Sequence, residues 1–177
     1  DLRSPCTEEV AVFQAFAAAV EQSAYRFVVM DTAPTGHTLL LMDATGSYHR
    51  EVVRNLPDQA GLTPLARLQD PDNTRVIVVT LPETTPVLEA TGLAADLARA
   101  DIATWGWIVN RSLTPTCTTS PLLAERINAE QTPLREAEAQ TGRVAVVPYL
   151  DTPPIGVNQL RQLSTCAASS DYAMMMV

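Results

Sequence analysis

Arg75-Val-Ile-Val-Val-Thr80, Trp105-Gly-Trp-Ile-Val-Asn110 and Arg143-Val-Ala-Val-Val147, with Arg26-Phe-Val-Val-Met30 upstream of them, decide the fold. Each is an apolar run of strand length in which polar and apolar residues do not alternate. Continuous β-branched runs are the pattern of strands covered on both faces, as in parallel sheets. Between them lie stretches with helical apolar spacing. Val10, Phe13, Ala17 and Val20 follow Ser4-Pro5; Ala90, Leu93, Ala94 and Leu97 follow Thr85-Pro86; Leu123, Ile127 and Leu134 follow Ser120-Pro121. A hydroxyl at the N-cap with proline at the first helical position starts a helix. Thr132-Pro133 falls inside the last of these stretches, so Pro133 either kinks that helix or restarts it. Strands alternating with helices give βαβ units. The reading is α/β: a doubly wound, mainly parallel sheet with helices on both faces.

The chain has 177 residues, a length that suits one ordinary domain. Residues 1–163 carry the pattern, and 164–177, ending in small residues and Met174-Met175-Met176, read as a disordered tail. The first residue is Asp1, with no charged and apolar leader after it. We therefore expect a piece of a longer, cytoplasmic polypeptide. Cys6, Cys117 and Cys166 are odd in number and far apart, which suits a reducing compartment better than a disulfide framework.

Charge and composition exclude several chemistries. The net charge of −8 argues against a nucleic-acid partner, because phosphate backbones need a basic face. All 12 basic residues are arginine. A Schiff-base lysine, a Ser-Lys pair and the lysine of a phosphate-binding loop are thus absent from these residues. The 7 glycines lie too far apart to form either glycine-rich nucleotide fingerprint.

In open parallel sheets ligands sit beyond the carboxyl ends of the strands. That places candidates in residues 31–38, 80–85, 110–119 and 148–157. The first of these segments, Asp31-Thr-Ala-Pro-Thr-Gly-His-Thr38, follows a predicted strand directly. An aspartate there, followed by small residues and Gly36, is what a nucleotide-hydrolysing site places near magnesium; it is equally an ordinary strand-end turn former. Cys6, in the first turn of the helix that Ser4 would cap, has the dipole to favour a thiolate, yet a lone cysteine also serves as a small buried hydrophobe. Asn110 offers a donor and an acceptor to a base edge, or simply forms a turn. His37 is either a ligand or a loop residue. Trp105 and Trp107 fall on one side by the period of two and read as helix–sheet packing.

Asp31-Thr-Ala-Pro-Thr-Gly-His-Thr-Leu-Leu-Leu41 resembles the switch II signature of the arsenical pump-driving ATPases, the ArsA family. Residues 1–16, Val79-Thr-Leu-Pro-Glu-Thr-Thr-Pro-Val-Leu-Glu-Ala90 and Trp105-Gly-Trp-Ile-Val-Asn110 are similar to the second half of those proteins, and the resemblance runs through residues 1–163. It implies a P-loop ATPase fold, present here as the C-terminal part of the second nucleotide-binding half and lacking the phosphate loop. It implies ATP and Mg²⁺ as cofactors and As(III) or Sb(III) as activator. By that resemblance Asp31 acts at magnesium through water, and Thr32, Ala33, Pro34, Thr35, Gly36 and His37 form the switch loop. Cys6 and His37 become metalloid ligands with Ser4 beside them, and Asn110, Pro148 and Leu150 lie at the adenine. The loop from Asp31 to His37 spans at most ~20–24 Å when extended, so metalloid and nucleotide sites would share it and couple through it. The implied partners are the first nucleotide-binding half, or a second subunit, and a membrane arsenite pump to which the protein is peripheral. Without a phosphate-loop lysine, this stretch alone should not hydrolyse ATP. The related targeting ATPase for tail-anchored proteins ranks second, because its C-x-x-C zinc pair is missing; a non-catalytic nucleotide-binding module ranks third.

Overall fold

A computed structural model describes residues 5–32, 46–51, 53–55, 63–116 and 118–166 of the chain. It divides into two compact units, residues 1–75 with 96–103, and residues 76–95 with 104–177.

The second unit holds the sheet. Strands β1 (Val76–Thr80), β2 (Thr104–Ser112) and β3 (Val144–Pro148) lie in the order β1-β2-β3, and both pairings are parallel. Helix α3 (Thr84–Arg99) joins β1 to β2, and α4 (Pro121–Gln140) joins β2 to β3. This is the βαβ arrangement expected from the alternation of runs. The core gathers Val78, Trp107, Val109 and Val144 from the strands, Ala90 from α3, and Leu134 and Ala137 from α4.

Local chemistry explains the boundaries. Ser120 caps α4 with its backbone, its carbonyl accepting from Ala124 N at 3.0 Å, and Pro121 occupies the first helical position. The helix continues through Pro133 without restarting, and Pro133 lies on its buried face. In α3 the helix begins at Thr84, so Pro86 sits in the first turn, where a missing N–H leaves no bond unmade.

Two irregularities reshape the sheet. Val76 pairs with Thr104 but Ile77 pairs with Gly106, so Trp105 is an extra residue bulged out of β2. The bulge breaks the period of two. Trp107 is buried at 2% exposure, whereas Trp105 is 40% exposed beneath the Arg143 guanidinium, 4.9 Å from its ring centroid. The expected shared packing role therefore holds for Trp107 alone. Next to the bulge, β3 approaches so closely that a Cβ on Gly106 would lie 3.0 Å from the Arg143 carbonyl oxygen, which accepts from Trp107 N at 2.8 Å. β1 also departs from expectation: Val78 and Thr80 are buried, but Ile77 and Val79 face outward, so this edge strand is covered on one side only.

The regular structure described in the first unit is helical. It contains α1 (Pro5–Gln22), helical residues at 46–51 and 53–55, and α2 (Pro64–Gln69). Thr63 caps α2, its hydroxyl accepting from Ala66 N at 3.3 Å and meeting His49 Nδ1 at 2.7 Å. Arg26-Phe-Val-Val-Met30, expected as a fourth strand, is not one. Residues 23–26 turn, and 27–32 run on without a ladder, with Phe27 92% exposed. Apolar composition specifies burial but cannot supply the neighbouring strand whose N–H and C=O groups complete a ladder. After β3, helix α5 (Val157–Cys166) carries the chain past residue 164; residues 167–177 of the expected tail lie outside the described residues.

Candidate nucleotide-facing edge and loop segment

At the carboxyl end of the sheet, the turn after β1, the end of β2, the start of the segment after β3 and one face of α4 enclose a cleft of about 630 Å³. Its chemistry comes from Glu83, Arg111, Arg126, Glu130 and Tyr149. The volume falls in the range of small-molecule sites. Three of the four segments expected to face a ligand, 80–85, 110–119 and 148–157, contribute to it.

A second irregularity builds this edge. Val109 pairs with Val146 and Ser112 with Pro148, so three steps on β2 oppose two on β3. The surplus falls at Asn110-Arg111. Arg111 takes the left-handed conformation, φ 61°, which is uncommon for a residue with a Cβ. Asn110 supports the bend: its Oδ1 accepts from Arg111 N at 3.0 Å. The Arg111 guanidinium lies over the Tyr149 ring at 5.3 Å, a cation–π contact across the two strand ends. Tyr149 N donates to Ser112 O at 2.7 Å, which ties Pro148, Tyr149 and Leu150 to the end of β2.

Beneath the bend lies a buried carboxylate. Glu130 on α4 is 5% exposed. Its Oε2 accepts from Ser112 Oγ at 2.8 Å, Leu113 N at 2.9 Å, Thr114 N at 3.1 Å and Thr114 Oγ1 at 3.1 Å, while Oε1 accepts from Leu113 N at 3.1 Å. A buried charge of this kind persists only where donors satisfy it.

Asn110 in β2, Pro148 at the end of β3 and Leu150 just after it stand at the same end of the sheet, but the cleft is lined there by their neighbours Arg111, Leu113 and Tyr149. Asp31 and Thr32 lie in the other unit, in the irregular segment after α1, and both are exposed. Cys6 is the second residue of α1. Ser4, Ala33, Pro34, Thr35, Gly36 and His37 lie outside the described residues. Sequence reasoning missed Glu130, Arg111 and Arg126. A signal for Glu130 existed: it stands at helical spacing from Pro133, Leu134 and Ala137, all on the buried face of α4.

The chain matches the model of the anion-transporting ATPase family over residues 1–68 and 62–168. It belongs to that family. The arsenical pump-driving ATPase of Acidiphilium multivorum is 56% identical over 165 residues, which is 92% of this chain and 28% of that protein. An Escherichia coli protein of the same name is 55% identical over 93% of the chain. A more distant relative, described as a putative arsenical pump-driving ATPase of Halobacterium salinarum, is 28% identical over 97% of it. The chain therefore spans little more than a quarter of the length of its curated relatives. Within the anion-transporting ATPase family, this stretch carries the DTAPTGHT segment and the three-stranded edge with its cleft. No helix among the described residues is long and apolar enough to cross a membrane.

Proposed function

We propose that these residues form part of a metalloid-stimulated ATPase that couples ATP hydrolysis to arsenite or antimonite efflux through a membrane pump. The observation that carries the reading is identity of 55–56% to arsenical pump-driving ATPases across 92–93% of the chain. The site chemistry agrees with it. A cleft of about 630 Å³ with an arginine–tyrosine stack beside Asn110 fits a nucleotide base at the carboxyl edge of the sheet. Asn110, Pro148 and Leu150 would line the adenine, and the Asn110 NH₂ would donate to a ring nitrogen.

Asp31 fits a magnesium site, a hard cation that keeps several waters and takes few carboxylates. Asp31 is exposed. Magnesium supplies charge neutralisation at the phosphates, and Asp31 would orient its waters. Thr32, Ala33, Pro34, Thr35, Gly36 and His37 would form the switch loop. Cys6, in the first turn of α1, would bind As(III) or Sb(III) with His37, Ser4 lying beside them. The remaining ligands and the phosphate-gripping lysine would come from another nucleotide-binding half or a second subunit. The protein would work in the cytoplasm and meet the membrane only through the pump.

The intact ATPase tests both ends of the switch loop. Asp31→Asn should lower ATP turnover by about 10²; an unchanged rate removes Asp31 from the magnesium site. Cys6→Ala should weaken antimonite binding in a titration of the same protein, and an unaltered affinity removes Cys6 from the metalloid site.

A further inference from the structure

Glu130 lines the cleft, and it also holds the frame on which the residues assigned to the nucleotide stand. We propose that Glu130 is a positioning residue for nucleotide binding, acting through the loop at the end of β2. The inference rests on the reading of that edge as the nucleotide site.

Three observations converge. First, the carboxylate is buried and accepts from two hydroxyls and two backbone N–H groups, all within residues 112–114. All four donors fall on Oε2, and Oε1 takes a second, shared bond from Leu113 N, so one short segment supplies these bonds to the carboxylate. Second, that segment follows the Asn110-Arg111 bulge directly, and Arg111 is held in the left-handed conformation. A strained residue persists only when its surroundings over-determine it, and the bonds from 112–114 to Glu130 supply that determination on its C-terminal side. Third, Ser112 also reaches the next strand, its carbonyl accepting from Tyr149 N at 2.7 Å. Glu130 thus fixes both strand ends through Ser112: Asn110 and Arg111 on β2, and Pro148 and Tyr149 at the end of β3. A helix stabilised only by apolar packing would leave this loop with several backbone donors to satisfy elsewhere.

The proposal predicts a separation between binding and chemistry. Glu130→Gln keeps the shape of the side chain but sets an NH₂ group against donors that need an acceptor. In the intact ATPase it should raise KM for ATP about tenfold and weaken binding of a fluorescent ATP analogue similarly, while kcat falls less than about twofold. Thr114→Val removes one hydroxyl donor and keeps the backbone bond; it should raise KM about threefold. That variant carries the test if Glu130→Gln does not fold. A purely structural role predicts a lowered Tm with KM and analogue affinity unmoved in folded protein, and that result overturns the proposal. Asn110→Ala separates the two layers of the argument. If it weakens nucleotide binding while Glu130→Gln and Thr114→Val do not, only the positioning role is lost. If none of the three moves KM, the assignment of the nucleotide to this edge fails, and this inference fails with it.

Discussion

Phe27-Val-Val-Met30 and Val76-Ile-Val-Val79 are nearly the same kind of sequence, and they end in different structures. The second run pairs along its length with β2 and buries Val78. The first makes no ladder, and Phe27 and Val29 stand in the open. Neither composition nor β-propensity separates the two. What separates them is a neighbour: β1 has Thr104–Val109 beside it, supplying backbone groups and a packed face. A β-run is half of a bond, and its stability lies in the pair.

Three substitutions sharpen or break that contrast. The largest effect belongs to Trp107→Ala. Its side chain is among the largest fully buried ones, and removing it should cost about 3–5 kcal/mol of stability in a denaturant titration. A loss under about 1 kcal/mol would mean the β2 core is not what holds the sheet. Gly106→Ala is next. The new Cβ meets the Arg143 carbonyl at 3.0 Å, a backbone atom that cannot swing away, so about 1–3 kcal/mol should be lost and β2–β3 pairing weakened. Hydrogen exchange at Trp107 N, which bonds Arg143 O, reads this directly. Phe27→Ala should be the mildest, within about 0.5 kcal/mol in a polypeptide of these 177 residues, because the ring is 92% exposed. A cost above about 2 kcal/mol in the longer protein, with none here, would identify the run as a strand whose partner is supplied from elsewhere.

The edge that carries the cleft was partly legible. Knowing that parallel sheets bind at their carboxyl ends was enough to choose 80–85, 110–119 and 148–157, and the cleft is lined from all three. Asn110, Pro148 and Leu150 were picked out as residues, and they stand at that end of the sheet beside the cleft's own Arg111 and Tyr149. Arg111 was not, because nothing in an Asn-Arg pair announces a bulge; the register offset exists only between two strands. Glu130 was overlooked for a related reason. A glutamate on a helix ordinarily faces water, and its burial depends on donors from a loop more than a dozen residues away in sequence.

The order of β1, α3, β2, α4 and β3, the start of α4, and the exclusion of lysine chemistry were set by the amino acids alone. Each depends on spacing, on proline's missing N–H or on counting, none of which needs a neighbour. The failure of residues 27–30 to join a sheet, the parting of Trp105 from Trp107, and the carboxylate locked under the end of β2 were decided only in three dimensions. Each requires a second backbone or a set of donors brought from elsewhere in the chain, and pairing between distant segments is the information that a local pattern does not carry.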